Sequence, residues 1–218
     1  TEDARASFEA IANSAERIGT CVRQLQRFGE GVDSELERVD LNDVVASTVS
    51  LAEHQVRHIA HLEVELADEL ASCRAVDNWV GQVVMNLLLN ALDALEDTPE
   101  AVIRVSTHAE ESELLVRVAD NGPGVPETLG SKIFQPFFTS KTNKGSGLGL
   151  SISASLAARM NGALVLEKSN VGAQFLLRLP RFEEEEKRVE KTASVEAPNG
   201  TQRVLVVDDD PGVLEVIK

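Results

Sequence analysis

The spacing of apolar residues in the N-terminal part of the chain predicts a helix with one narrow apolar stripe. The spacing alternates between three and four residues, which is the heptad pattern of helices that pack on partner helices. Since a single helix cannot bury such a stripe, we expect helix 3–29 to self-associate in a helical bundle, with packing onto its own domain as the alternative. The stripe consists of Phe8, Ile11, Ala15, Ile18, Val22 and Leu25.

The middle of the chain alternates between helical and strand patterns, which predicts an α/β domain. Asp40 and Asp77 are expected to cap helices, because an Asp side chain accepts hydrogen bonds from first-turn N–H groups. The predicted helices are 41–60, 78–96 and 148–161, the last closed by Gly162. The predicted strands are 61–66, 101–108, 114–119, 163–167 and 173–179, of which the second and third form a hairpin. Residues 121–147 form a connection too long to be a simple loop.

The C-terminal part begins with residues 183–201, where an acidic run and a Pro-Asn-Gly turn predict a linker. Residues 203–207 then read as a buried strand that ends in Asp208 and Asp209. We therefore expect another domain to begin near residue 202 and to continue beyond residue 218.

The composition restricts the partners of the chain. The net charge is −15 and Lys and Arg form no long block, whereas nucleic-acid binding needs a basic surface that displaces counterions. We expect no nucleic-acid partner, and an anionic ligand must find a locally positive site.

The cysteine content and the lengths of the apolar runs indicate the cellular compartment of the protein. Cys21 and Cys73 are too few for a disulfide framework and fit a reducing environment. No apolar run reaches the roughly 18 residues of a membrane span. We expect the chain to be cytoplasmic, a prediction compatible with a membrane anchor elsewhere in a longer protein.

A stripe of polar residues interrupts the apolar helix 78–96. Gln82, Asn86, Asn90 and Asp93 recur at spacings of four, four and three, which places them on one face. A solvent-exposed face would explain the stripe, but Asn amides are less common there than Glu or Lys. Since burying these groups without partners is unfavourable, the stripe is expected to face a polar ligand or water.

Two glycine-containing segments follow. Residues 120–124 (Asp-Asn-Gly-Pro-Gly) leave a strand with a carboxylate, and their glycines permit close backbone approach. Residues 145–150 (Gly-Ser-Gly-Leu-Gly-Leu) open a helix, where free N–H groups and the helix dipole favour phosphate. Each segment alone is also compatible with an ordinary turn or loop, and neither is a P-loop or a dinucleotide fingerprint.

Taken in order, these segments resemble the GHKL ATP-binding superfamily and, within it, the sensor histidine kinases of two-component systems. The resemblance covers residues 40–180 and implies an α/β two-layer sandwich, with a mixed, mostly antiparallel sheet covered by three helices. Each motif alone is weak, but five in order are specific. Asn86–Ala91 resembles the N box, Asp120–Gly124 the first glycine box, Phe134–Lys141 the F box, Gly145–Gly149 the second glycine box and Gly172–Pro180 the closing strand.

The resemblance implies roles for individual residues. Asn90 would hold Mg²⁺ on the ATP phosphates with help from Asn86, and Asp120 would accept a hydrogen bond from the adenine amino group. Residues 125–147 would form the lid over ATP, with Phe137 and Phe138 as its apolar anchor. The remaining nucleotide-binding residues would be Gly122, Gly124, Lys141, Gly145, Gly147, Leu148 and Gly149.

One position favours a kinase over a hydrolase. Related gyrase, chaperone and mismatch-repair ATPases carry a water-activating Glu four residues before the Mg²⁺-binding Asn. Asn86 occupies that position here and cannot act as a general base. We therefore expect a protein-histidine kinase, with a nucleotide-binding pseudokinase or interaction module and a GHKL ATPase as alternatives.

The flanking segments extend the resemblance. Residues 1–31 resemble the second helix of a dimerisation and phosphoacceptor hairpin, residues 38–182 the catalytic domain, and residues 202–218 the start of a receiver domain. In a complete receiver, Asp208 and Asp209 would bind Mg²⁺. The expected partners are the chain's own dimerisation domain in a homodimer and a receiver domain or response regulator. None of the four histidines fits the acceptor pattern of the family, so no catalytic residue is assigned.

Overall fold

The computed structural model describes residues 34–139 and 146–182, together with Gly19. The predicted heptad helix in residues 1–31, the linker 183–201 and the receiver-like segment 202–218 lie outside the described residues. The helices are α1 (Leu41–Val56), α2 (Asp77–Leu95) and α3 (Gly149–Arg159). The strands are β1 (Glu37–Val39), β2 (His61–Glu65), β3 (Cys73–Ala75), β4 (Val102–Ala109), β5 (Glu113–Asp120), β6 (Ala163–Glu167) and β7 (Gln174–Pro180).

The main sheet has five strands in the order β2-β4-β5-β7-β6. Strands β2 and β4 are parallel and every other neighbouring pair is antiparallel, so the predicted mixed, mostly antiparallel sheet and the β4–β5 hairpin are confirmed. The alternation along β5 turns Leu114, Val116 and Val118 into the main core, where α2 packs on this strand. The helices and the sheet thus form the two-layer α/β sandwich that the sequence resemblance implied.

Helix α1 begins as predicted, whereas α2 does not. The Asp40 carboxylate accepts hydrogen bonds from the backbone N–H groups of Asn42 at 2.9 Å and Asp43 at 3.3 Å, which satisfies first-turn donors. Asp77 is itself the first helical residue of α2, and Val76 occupies the cap position. The prediction of an Asp77 cap was therefore wrong, because the helix begins one residue earlier than expected.

The end of α3 differs in detail from the prediction. Asn161 adopts the left-handed conformation at φ 57°, and the Gly162 N–H donates to the Ala157 carbonyl at 2.9 Å. This pair of residues closes the helix in the manner of a Schellman motif, so the left-handed residue is the Asn before the predicted Gly. None of the described helices is both long and apolar enough to cross a bilayer.

Two short strands were not predicted. Strand β1 pairs antiparallel with β3 in a separate two-stranded sheet, with Glu37 opposite Ala75 and Val39 opposite Cys73. Helix α1 is also shorter than expected, since it ends at Val56 rather than near residue 60. Leu51, which lies on this helix, has an exposed fraction of 77%.

Candidate functional site

The polar stripe of α2 lies beside a continuous apolar face. Trp79, Val83, Leu87 and neighbouring residues are buried in the core, while Gln82, Asn86 and Asn90 are half-buried. The side-chain nitrogen Nδ2 of Asn90 is buried and has no hydrogen-bond partner in the described part of the chain. Leaving a buried donor unpaired costs about 1–3 kcal/mol, so this position suits a partner from outside the described residues, such as a bound ligand.

Asn86 connects α2 with the N-terminal half of α3. Its Nδ2 donates to the hydroxyl of Ser153 at 3.0 Å, and Ser153 is only 1% exposed. A Cβ added to Gly149, the first residue of α3, would collide with Oδ1 of Asn86. The N box and the second glycine box therefore meet in the fold. The sequence singled out Asn86 and Gly149, but it had no signal for Ser153 beyond a hydroxyl residue among small and apolar ones.

Asp120 ends β5 in the row of residues that faces the helices. Its Oδ1 accepts hydrogen bonds from the Gly122 N–H at 2.9 Å and from the Ala173 N–H at 3.1 Å. Gly122 in turn lies against the end of α2, since an added Cβ would be 3.4 Å from the carbonyl oxygen of Ala94. The first glycine box is thereby fixed between α2 and the segment that leads into β7.

The aromatic residues of the F box behave differently from one another. Phe138 and Phe134 pack on the core, and Phe134 makes an edge-to-face contact with Phe175 at 6.4 Å between ring centroids. Phe137 has an exposed fraction of 72% and a φ of 65°. The expectation that Phe137 anchors the loop was therefore wrong: Phe134 and Phe138 hold it, and Phe137 projects from a strained backbone position.

The two described ends of the long loop meet at Gly147. An added Cβ at this residue would be 2.5 Å from the carbonyl carbon of Phe137, and its φ of 69° is also in the left-handed region. Leu148 follows as a buried residue, and α3 then begins at Gly149. The first-turn N–H groups of α3 have no acceptor within their own helix, which makes this terminus suitable for an anion. Lys141 and Gly145 lie outside the described residues, as do Asp208 and Asp209.

A cavity of about 680 Å³ lies elsewhere, as a groove between α1, α2 and α3. Of the predicted nucleotide-binding residues that the structure describes, Asn86 and Gly149 line it, and Ser34 borders it where the described chain begins. The exposed Leu51 and Leu89 contribute to its apolar wall. We call this feature the helical groove. Sequence reasoning did not predict it, because it depends on which apolar positions the packing of three helices leaves uncovered.

A smaller cavity of about 330 Å³ lies at the strand ends near Asp120. Its lining includes Asn121, whose side chain accepts from the Val102 N–H at 2.7 Å and donates to the Glu100 carbonyl at 2.8 Å. These bonds fix the first glycine box to the start of β4. No group of three metal-binding His, Cys, Asp or Glu side chains occurs among the residues that the structure describes.

Comparison with known proteins identifies similar sequences and folds. Residues 75–183 match the family model described as histidine kinase-, DNA gyrase B-, and HSP90-like ATPase. Sensor kinase CckA of Brucella abortus (strain 2308) is 31% identical across 95% of this chain, and the chain spans 25% of that relative's length.

Two solved structures are also similar. The catalytic domain of histidine kinase ThkA has a TM-score of 0.60 at 31% identity, and the match covers 67% of this chain and 98% of that domain. ThkA in complex with the response regulator protein TrrA has a TM-score of 0.65 at 26% identity, with 79% of this chain and 50% of the other covered.

Proposed function

We propose a function for this chain, which belongs to the family of histidine kinase-, DNA gyrase B- and HSP90-like ATPases and carries the catalytic domain of a sensor histidine kinase. In this proposal, the chain binds ATP with Mg²⁺ and transfers the γ-phosphoryl group to a histidine in two-component signalling. The observation that carries this proposal is the side-chain nitrogen of Asn90, which is buried on α2 and has no hydrogen-bond partner among the described residues. A ligand that fills the site removes the penalty of this orphaned group, and a nucleotide with its metal offers both donors and acceptors.

In the proposed site, the base and the phosphates of the nucleotide bind at opposite ends. Asp120 would read the base, because its carboxylate is an acceptor fixed at the end of β5 beside Gly122 and Gly124. The backbone of Gly147, Leu148 and Gly149 would hold the phosphates, because the first turn of α3 presents N–H groups that have no acceptor within the helix, together with the positive end of its dipole. These placements put the base near the C-terminal end of α2 and the phosphates near Asn86.

The donor set fits magnesium on the phosphate side. Mg²⁺ prefers oxygen ligands and commonly combines one or two protein oxygens with substrate phosphates and water. The side-chain oxygen of Asn90 would be the protein ligand, with Asn86 beside it on the same stripe. When bound, the ion would offset the negative charge of the phosphates. This matters because the chain itself has a net charge of −15.

In phosphoryl transfer, the protein mainly positions the reacting groups and stabilises the charge of the transition state. A histidine nitrogen attacks the γ-phosphorus, the bond to the β–γ bridging oxygen breaks, and ADP departs. Asn86 stands where related ATPases carry a water-activating Glu, and its amide is held by Ser153. An amide cannot accept a proton from water, so transfer to a protein acceptor is favoured over hydrolysis.

The helical groove is the proposed docking surface for the acceptor. Its occupant would be the chain's own dimerisation and phosphoacceptor domain, which enters from the Ser34 side, where the upstream chain connects. The groove runs from there to Asn86 and Gly149 at the phosphate end of the site, and its apolar wall suits a helix with an apolar stripe. The homodimer is proposed to form through that domain.

We further propose that the phosphoryl group passes to a receiver domain or response regulator. The complex of ThkA with TrrA supports this for a structural relative. Asp208 and Asp209 would belong to a receiver within the same protein.

Calorimetric titration of the chain with ATP, with and without Mg²⁺, tests the proposal. We expect Mg²⁺-dependent binding that Asn90→Ala abolishes. Asn78→Ala is the matched control, because Asn78 lies on the same helix in an exposed position. Absence of ATP binding by the folded chain would overturn the proposal and leave an interaction module. Rapid ATP hydrolysis by the chain would instead indicate an ATPase of the chaperone or repair type.

A further inference from the structure

The carboxylate of Asp120 is held asymmetrically by the backbone. Both of its hydrogen bonds within the described part of the chain go to the same oxygen, Oδ1, from the N–H groups of Gly122 at 2.9 Å and Ala173 at 3.1 Å. The other oxygen, Oδ2, receives neither. Two donors on one oxygen prevent the carboxylate from rotating, so the unused oxygen keeps a single orientation.

Ala173 contacts Asp120 in a second way. The Asp120 N–H donates to the Ala173 carbonyl at 3.0 Å, so the backbone of Ala173 both accepts from and donates to the same residue. The two bonds fix the main chain and the side chain of Asp120 together. We call this arrangement the Ala173 clamp.

The clamp requires the turn between β6 and β7 to lie directly on Asp120. Gly172 has a φ of 66°, and an added Cβ would collide with the Asp120 carbonyl oxygen and would come within 2.8 Å of Oδ1. Gly124 holds the turn from the other side, since a Cβ there would be 2.7 Å from the Gly172 carbonyl oxygen. No side chain fits at Gly172 without displacing either the turn or Asp120.

We propose that Gly172 and the Ala173 clamp are positioning elements that select a purine with a 6-amino group, by aiming Oδ2 of Asp120 at that group. This inference rests on the proposed binding of ATP with Asp120 at the base. An ionised carboxylate oxygen can only accept, so it attracts an amino donor and gains nothing from a purine without one. Its benefit depends on direction, because a hydrogen bond weakens steeply when its angle falls.

The test compares the affinities of the chain for ATP and for purine riboside triphosphate, which lacks the 6-amino group, by calorimetry with Mg²⁺. A hydrogen bond to a charged group corresponds to a preference for ATP of about tenfold or more in the unmodified chain. Gly172→Ala is expected to reduce that preference to about twofold, while the affinity for purine riboside triphosphate stays near its original value. Val171→Ala is the matched control in the same turn, because Val171 is exposed.

A purely structural role for Gly172 predicts a different result. General damage would weaken both nucleotides by the same factor and leave their ratio intact, and that outcome overturns the inference. If Gly172→Ala does not fold, as judged by circular dichroism, Gly124→Ala displaces the same turn from its opposite side and should lower the same ratio. An unchanged ratio in folded Gly124→Ala would count equally against the clamp.

Asp120→Asn separates this inference from the proposed function. The amide oxygen can still accept from Gly122 and Ala173, but a donor replaces Oδ2, so the preference for ATP should disappear. If Asp120→Asn keeps the preference, base recognition by Asp120 is wrong and the inference fails with it. If Asp120→Asn removes the preference and Gly172→Ala does not, only the inference fails.

Discussion

Asn86 on α2 donates a 3.0 Å hydrogen bond to the hydroxyl of Ser153 on α3, and this bond joins residues 67 positions apart in the chain. It lies one helical turn from Gly149, where α3 presents its first N–H groups. An almost fully buried hydroxyl therefore helps to fix the position of these N–H groups relative to the polar stripe of α2.

Ser153→Ala is expected to loosen this junction. The substitution leaves Nδ2 of Asn86 without its partner, so the free energy of unfolding should fall by about 1–2 kcal/mol. The affinity for Mg²⁺-ATP should fall by roughly three- to tenfold, because the N-terminus of α3 is no longer held against α2. Urea unfolding and calorimetry measure the two effects. Ser155→Ala on the same helix should change neither, and an unchanged ATP affinity in Ser153→Ala would contradict the assigned role of the hydroxyl.

Asn90→Leu should separate stability from nucleotide binding. Because the buried amide nitrogen has no partner in the described part of the chain, an apolar side chain removes an unsatisfied group. Without nucleotide, we expect the free energy of unfolding to stay constant or to rise by up to about 2 kcal/mol. Saturating Mg²⁺-ATP, at about 100 times its dissociation constant, should stabilise the unmodified chain by about 2.7 kcal/mol and the variant not at all.

Urea unfolding with and without Mg²⁺-ATP provides the measurement. A variant clearly less stable than the original protein in the absence of nucleotide would show that Asn90 already has a favourable environment. That result would remove the argument that the site is built for a ligand.

Leu51→Asp should impair phosphoryl transfer without impairing ATP binding. The side chain of Leu51 is 77% exposed in the helical groove, so its replacement removes little core packing. We expect the rate of histidine phosphorylation, measured in the kinase with its dimerisation domain, to fall at least about tenfold, since a charge is placed in the apolar wall of the proposed docking surface. The dissociation constant for ATP should stay within about twofold.

Ile59→Asp is the control for the groove. Ile59 is also an exposed apolar residue, at 43%, but it does not line the helical groove. Equal loss of transfer in both variants would indicate a nonspecific effect of surface charge, and normal transfer in Leu51→Asp would exclude the groove as the docking surface.

Cys73 should make the fold sensitive to alkaline pH. Burial is the largest cause that raises the pKa of its thiol from the usual 9.0 to about 11, so the folded state favours the protonated form. The corresponding stability is complete below pH 9 and is lost as the pH rises towards 11, by about 2–3 kcal/mol.

The measurement compares Cys21→Ser with the double variant Cys21→Ser/Cys73→Val by urea unfolding between pH 8 and about 11. The difference isolates Cys73 from lysines that titrate in the same range. Parallel pH dependence of the two proteins would show that the thiol does not contribute.

The long periodic elements could be predicted from the sequence because each carries many apolar positions. Within the described residues, all three α-helices and all five strands of the main sheet were expected, with differences of only a few residues at their ends. Strands β1 and β3 were missed because three residues give no measurable period, and their pairing joins Val39 to Cys73 across 34 positions. Such a pair is decided by tertiary packing rather than by local preference.

In the candidate site, residues that act through polar side chains could be predicted from the sequence, whereas contacts made by backbone atoms could not. Asn86 and Asn90 could be singled out because polar side chains at helical spacing are visible in the sequence, and Asp120 because it is a carboxylate between a strand and two glycines. The Ala173 clamp could not, because it uses only the backbone of an alanine. The exposure of Phe137 was also hidden, since three phenylalanines within five residues look equivalent until the fold selects two of them for the core.

The order of strands in the main sheet has a consequence for the nascent chain during translation. Strand β7 is the last strand of the domain in the chain, yet it lies between β5 and β6 in the sheet. On the ribosome, Asp120 is synthesised more than 50 residues before Ala173, its partner across 53 positions, becomes available. A partly translated chain therefore carries the carboxylate that we propose reads the base, without the backbone that we propose aims it. On that proposal, selective binding of ATP requires β7 to have left the exit tunnel, so a chain that ended before this strand would not select ATP.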